Sequence, residues 1–367
     1  MRELLRLNNP IRPYDWGSHT VLADLLGRPA TGGPQAELWI GAHPTAPSRL
    51  PDGSSLLDHI TDAPEPMLGP GEDRLPFLLK VLAVEHPLSL QVHPDEEQAR
   101  EGYAAGRGYQ DAWPKPELVY ALTRFEALCG FADPEHAAAL LTSARGERLG
   151  HVADALLTGG PRAAVTTLTT WPEHDRRALV AEVGASTTPG LTWPRRLAEQ
   201  HPADPGAVIA ILMNHVTLSP GQALFARPRT LHAYLHGTGV EIMANSDNVV
   251  RGGLTTKPVD VAELEAITDF APSLPEPIAP VPLANGEVSF PAPTPHFRLT
   301  RLQPSGAPVE ISVPGPSALL CLDGDLTVTR GPVTEHLRRG DSVFLPHAGG
   351  PARVTGHGLA FRAALPR

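Results

Sequence analysis

The chain has 367 residues, 41% of them hydrophobic and 19% charged, with a formal charge of −10. That length allows two or three domains. The acidic balance without a long basic run argues against nucleic acid as a partner, and the lack of an apolar run of about 18 residues argues against a membrane span. The first residues, Met1 to Gly17, lack the apolar core and cleavage site of a signal peptide. Cys129 and Cys321 lie far apart without metal-type spacing, so they read as ordinary thiols in a reducing cytoplasm.

With 41 prolines and 34 glycines, short strands and many loops are favoured. Runs at 37–41, 77–84, 88–93 and 117–122 are predicted strands bounded by turns. Between them, 95–103 follows Pro94 and carries the acidic first turn of a short helix. From Pro134 to about Pro205 the texture changes to Ala/Leu-rich helical periodicity, at 135–141, 152–157, 173–180 and 195–200. Strands are predicted to resume at 207–213, followed by a hairpin pattern through His232. A Pro-rich linker is expected from about Ala271 to Pro295, and then short strands again at 318–322, 326–329 and 340–346. Gly221-Gln-Ala-Leu-Phe-Ala-Arg-Pro228 and Gly340-Asp-Ser-Val-Phe-Leu-Pro346 share one pattern: glycine, short apolar strand, proline. They suggest two copies of one β unit. The expected architecture is mainly β, with two jelly-roll (cupin-like) barrels and an inserted α-helical domain. Residues 1–132 and 206–270 would form a discontinuous catalytic unit, 133–205 the helical insertion, and 271–367 the second barrel.

The chemistry concentrates in two places. Gln91 and His93 are two apart, so a strand points both to one face; Lys115 and Glu117 share that relation, and His232 opens another strand. Inward residues from several strands of a barrel would give a ligand set of amide oxygen, imidazole and carboxylate. Zinc suits it, as do iron, manganese or cobalt. A Gln-x-His pair alone also suits a polar strand end. The second cluster, Thr230 to Lys257, brings Arg251 and Lys257 near Glu241 and Asp247, among Gly237, Gly239, Gly252 and Gly253. A solvated, salt-bridged loop is the plain reading. Close approach of an anionic ligand to glycine backbone, met by an arginine fork and a lysine, is the functional one. His236, four beyond His232, would face the same way on a strand, and the C-terminal copy has no partner for His347 and is expected to be metal-free.

With these residues in view the chain resembles the type I phosphomannose isomerases over nearly its whole length. The resemblance is carried by Tyr14-Asp-Trp-Gly17, Glu37-Leu-Trp-Ile-Gly41, Pro76-Phe-Leu-Leu-Lys80, Leu88-Ser-Leu-Gln-Val-His-Pro94, Lys115-Pro-Glu117 and the long His232-to-Lys257 signature. It implies a cupin-class enzyme that interconverts mannose 6-phosphate and fructose 6-phosphate. It implies one zinc held by Gln91, His93, Glu117 and His232, with Arg251 as the catalytic arginine and Ser89, Lys115 and Lys257 as polar pocket residues that meet the sugar phosphate. For the proton shuttle, Glu241 is the first choice and Asp247 the second. The chain departs from the family where Pro114 stands in place of a histidine sometimes given an acid–base role. The competing readings are a cupin metal oxygenase, which would not need Lys115, Arg251 and Lys257 together, and a non-catalytic sugar-binding cupin, which would have lost a ligand or Arg251. A monomer is expected.

Overall fold

The computed structural model describes residues 3–311 and 315–366. It is mostly antiparallel sheet with some helices, and among the described residues the strands form two sheets. The first runs in the order Val250–Gly253, Leu90–Val92, His232–Ala244, Phe77–Val84, Glu37–Ile40, Ile11–Arg12. Strands Glu117–Ala121 and Phe125–Phe131 join it through His232–Ala244. The second sheet is built around the long pair Ser317–Arg330 and Ala352–Ala364. The chain's first strand, Leu5–Leu7, crosses over to pair with Ser342–Phe344 of that second sheet. Its Leu5 and Leu7 bury in the core that the two sheets share.

Period-2 alternation decides where the site can form. Phe77, Leu79, Val81 and Ala83 face one way and pack with Leu38, Ile40, Leu118, Val240 and Ile242 against Phe290, Phe297, Phe344 and Phe361 of the second sheet. The alternate residues of the same strands, Lys80, Glu37, Glu241 and Glu117, must then point to the other face. All four are buried. A run such as Phe77–Val84, apolar except for Lys80, suits a strand buried on both faces, and its burial is complete along its length.

His232–Ala244 is the hub. Its first residues pair with Phe125–Phe131 and its later ones with Phe77–Val84 and Glu117–Ala121. The change of partner falls at Gly237, whose φ is 125°. A side chain there would put its Cβ 2.6 Å from the Arg124 carbonyl oxygen, so only glycine allows the bend. A bulge between Tyr234 and His236 shifts the register and turns His236 to the exposed surface, away from His232.

Helices Pro134–Ser143, Glu147–Thr169, Glu173–Ala185 and Thr192–Gln200 follow the predicted periodicity. They share a core with sheet residues Leu90, Val92, Leu128, Ala233 and Leu235. The predicted helix after Pro94 is Glu96–Ala104, started by a capping box between Asp95 and Gln98.

Two elements differ from expectation. Residues 207–213 are helical turns, Gly206–Ile209 and Ala210–Leu212, before the strand that begins at Met213. Every residue of that run is buried, and a short run without periodicity does not distinguish a buried strand from a buried helical turn. The Pro-rich stretch 271–295 is not a bare linker: it holds strand Val281–Pro282 and strand Glu287–Phe290, the latter paired to Arg298–Leu302. The two glycine–strand–proline segments do form matching short strands, Ala223–Ala226 and Ser342–Leu345.

Candidate metal centre and adjoining cleft

Register gathers the predicted residues across the sheet. Arg251 pairs with Gln91, and Gln91 in turn with His232, so the three stand in one row on one face. His93, Glu117 and His232 come together, all buried, with ligand atoms within 4.8 Å of one another. Among the described residues this is the one His/Cys/Asp/Glu group of that kind. Gln91 lines a small cavity of about 60 Å³ with Glu117 and His232, more than the roughly 10–15 Å³ that one water needs.

The imidazoles are held as metal ligands usually are. Nδ1 of His93 lies 2.7 Å from the Asn248 carbonyl oxygen, and Nδ1 of His232 lies 2.9 Å from that of Thr230. A carbonyl only accepts, so each Nδ1 carries a proton, and in the neutral ring each Nε2 is left to offer a lone pair to a metal. Nε2 of His232 is 3.1 Å from Glu117 Oε2. Nε2 of His93 is buried and has no hydrogen-bond partner, although Glu117 Oε1 stands 3.4 Å away. A buried polar atom without a partner is costly, and a cation in this gap would satisfy it.

The charges agree. Burial opposes a charge on Glu117, but Lys115, at 3.1 Å, together with His93 and His232, outweighs it and holds the carboxyl well below its usual range. Burial, reinforced by the Lys115 ammonium, pulls His93 down to about 4. Burial acts on His232 in the same direction, but its hydrogen bond to Glu117 wins and raises it.

Beside this cluster opens a cleft of about 530 Å³ whose lining includes Ser89, Gln91, Lys115, Asp247, Arg251 and Lys257. It shares Glu37, Lys80, Leu88, Gln91 and Lys115 with the small cavity, which forms its floor. The salt-bridged-loop reading of Thr230–Lys257 does not hold: Glu241 pairs with Lys80 at 3.1 Å and Asp247 with His43 at 3.2 Å, leaving Arg251 and Lys257 on the cleft wall. The glycines of that stretch serve backbone packing; Gly239 meets Val119 and the Tyr120 carbonyl, and Gly252 meets Leu231. The remaining polar residues of the signature are scaffold. Asn245 donates to the Leu75 carbonyl, Ser246 to Asp111, and Asn248 to the Asp111 and Trp113 carbonyls.

Sequence reasoning missed a buried network on the cleft floor. Lys80 lies 3.1 Å from Glu241 and 3.6 Å from Glu37, Trp39 donates its indole N–H to Glu37, and Tyr234 lines the same small cavity as Glu241. Burial lowers the Lys80 pKa, but Glu241, Glu37 and Glu117 overcome it and raise the group, keeping it an ammonium. Burial raises Glu241; Lys80 opposes, while Glu117 and Glu37 reinforce the rise. Alternation would have found these residues, because Glu37, Trp39 and Lys80 are the out-of-core positions of two strands that read simply as apolar. His43 is likewise buried, and it edges against Trp39.

Lys80→Met should leave Glu37 and Glu241 as unpaired buried carboxylates, costing about 3–5 kcal/mol of stability. The loss should be larger at pH 8 than at pH 5, because Glu241, whose folded pKa burial raises, is penalised only when ionised. Urea unfolding at the two pH values checks this, and an unchanged midpoint at pH 8 would contradict it.

A family model described as phosphomannose isomerase type I, catalytic domain, matches residues 4–133. The chain is 35% identical to mannose-6-phosphate isomerase of Escherichia coli (strain K12), over 97% of this chain and 98% of the relative. It is 29% identical to the enzyme of that name from Homo sapiens, over 92% of each. A crystal structure of mannose 6-phosphate isomerase bound with zinc and yttrium superposes with a TM-score of 0.91 at 32% identity, covering 99% of this chain and 100% of that one. Likeness that runs the full length of both partners, in sequence and in fold, makes this chain a member of the type I phosphomannose isomerase family.

Proposed function

We propose that the chain interconverts mannose 6-phosphate and fructose 6-phosphate as a zinc enzyme, with one metal held by Gln91, His93, Glu117 and His232. The observation that carries this is the His93–Glu117–His232 cluster with its unpartnered buried Nε2, opening onto a cleft that bears Arg251 and Lys257. Bound there, zinc would supply a Lewis acid beside the oxygens of C1 and C2.

The chain's own residues do the rest. Isomerisation moves a proton between C2 and C1 of the open-chain sugar and builds negative charge on the oxygens between. Arg251, one strand across from Gln91, sets a fixed positive fork toward that charge. Glu241 takes the proton from one carbon and returns it to the other. Burial raises its pKa above the usual carboxyl value, the direction that helps a carboxylate give a proton back, and Lys80, 3.1 Å away, orients it. The His43 hydrogen bond holds Asp247 below the usual carboxyl range, with burial opposing. Asp247 therefore stays ionised and suits the holding of a sugar hydroxyl better than proton transfer. Lys257, Ser89 and Lys115 meet the phosphate and the hydroxyls near it. Pro114 carries no titratable group, so no step uses a histidine there.

The architecture behind this reading is a catalytic jelly-roll unit from 1–132 and 206–270, interrupted by the helical segment 133–205, with a second jelly-roll unit in 271–367. It is supported by pairing of Phe125–Phe131 with Met213–Leu218 across the helical segment. The cluster is complete within one chain, which suits a monomer, and two free buried cysteines suit a reducing cytoplasm.

A coupled assay tests the activity: conversion of mannose 6-phosphate is expected, with unphosphorylated mannose far slower, and no conversion would refute the reading. The same sample should contain zinc without iron; iron would favour the oxygenase alternative. Zinc affinity should fall on acidification. His232, with its pKa raised above 6.5, gains a proton first, while His93 at about 4 stays neutral. Below the His232 pKa, each pH unit should weaken binding about tenfold, measured by competition with a chelator at pH 5.5 and 7.5. Equal affinity at the two would contradict the assignment.

A further inference from the structure

The wall of the cleft that carries Lys257 is thin. His201, Thr255, Thr256 and Lys257 line the cleft on one side and a second cavity of about 550 Å³ on the other. A segment with space on both sides is not held by packing alone, so its position depends on specific ties. It is also conformationally strained. Gly253 has φ 133° and Leu254 φ 56°, a left-handed conformation that a leucine avoids unless its surroundings enforce it.

The enforcing contacts come from the helical segment. Asp204, half-buried, accepts the Thr255 backbone N–H at 3.1 Å through Oδ2 and the Gly206 N–H at 2.8 Å through Oδ1. One carboxylate therefore ties the strained turn to the start of the helical turn Gly206–Ile209. Below it the two backbones touch. A Cβ on Gly206 would stand 2.7 Å from the Leu254 nitrogen, and one on Gly253 would stand 2.9 Å from the Gly206 Cα. Two glycines facing each other allow this approach. Leu254 itself is buried and lines the cleft.

We propose that Asp204 is a positioning residue for the phosphate end of the substrate: it fixes Leu254–Lys257, and so fixes where Lys257 presents its charge. This rests on the sugar-phosphate reading above. It assigns the helical segment a part in substrate recognition, although its helices contribute none of the metal ligands.

The test compares Asp204→Ala and Gly206→Ala with the unaltered protein. The first removes the tie; the second keeps the carboxylate but drives a methyl group into the turn. Each should raise KM for mannose 6-phosphate about tenfold, as loss of a charge-assisted hydrogen bond does. Inhibition by inorganic phosphate should weaken to a similar degree, while kcat and zinc content stay near those of the unaltered protein, the signature of lost ground-state binding. Asp204→Asn keeps one oxygen acceptor and should fall between. Unchanged KM and unchanged phosphate inhibition in both variants would overturn the proposal, as would a fall in kcat at constant KM. If Asp204→Ala does not fold, Gly206→Ala carries the same comparison. If the unaltered protein does not isomerise mannose 6-phosphate, the functional reading fails, and calorimetric binding of inorganic phosphate to the same three variants still decides the role of Asp204.

Discussion

Glu117→Gln should emerge from gel filtration without zinc and turn over mannose 6-phosphate at less than about 1% of the normal rate, since loss of even a supporting group of a metal site costs 10–100-fold. The argument is electrostatic. Glu117 is the one carboxylate of the cluster, placed between two imidazole Nε2 atoms and an ammonium. Neutralising it leaves Lys115 unpaired beside two imidazoles, a site that repels a dication. The amide preserves volume, so the fold should persist and the loss is assignable to charge. Zinc content by elemental analysis, beside the coupled assay, checks it. A variant that keeps a full equivalent of zinc would remove Glu117 from the ligand set.

Arg251→Ala should keep its zinc and lose about two to three orders of magnitude in turnover, the roughly 3–4 kcal/mol that one preorganised donor contributes to a transition state. Arg251 is separated from His232 by the width of one strand, Leu90–Val92. That puts its charge beside the metal cluster without making it part of it. Arg251→Lys should recover only part of the rate, because an ammonium offers a point charge in place of a planar fork. Near-normal turnover in Arg251→Ala would place the arginine outside the mechanism.

How much of this was legible in the sequence varies residue by residue, and for physical reasons. Gln91 with His93, and Lys115 with Glu117, were legible as candidates because a two-residue spacing puts each pair on one face, while their grouping with His232 as one ligand set came from the family resemblance. The structure gathers His93, Glu117 and His232 into one group, with Gln91 beside them. The strands that carry them were legible because alternation and glycine–proline punctuation are local signals. Lys80 and Glu37 were not singled out, because both sit in runs dominated by apolar neighbours and their partners are distant in sequence; Lys80 finds Glu241 only through register. His43 was not singled out, since nothing local announces Asp247 as its partner. His236 pointed the right way for an unbroken strand, and a bulge turned it out. The helical turns at 206–212 read as a strand, because uniform burial erases the periodicity that distinguishes the two. The glycines near Arg251 suggested ligand approach and turned out to relieve backbone contacts, which only three-dimensional neighbours reveal.

The most direct measurement is a zinc titration of the chelated protein, with the rate of mannose 6-phosphate conversion and bound metal read on the same samples. The rate should start near zero, rise in proportion to bound zinc and stop rising at one equivalent per chain. Full conversion with no bound metal, or a break at any other stoichiometry, would contradict a single ion shared by Gln91, His93, Glu117 and His232.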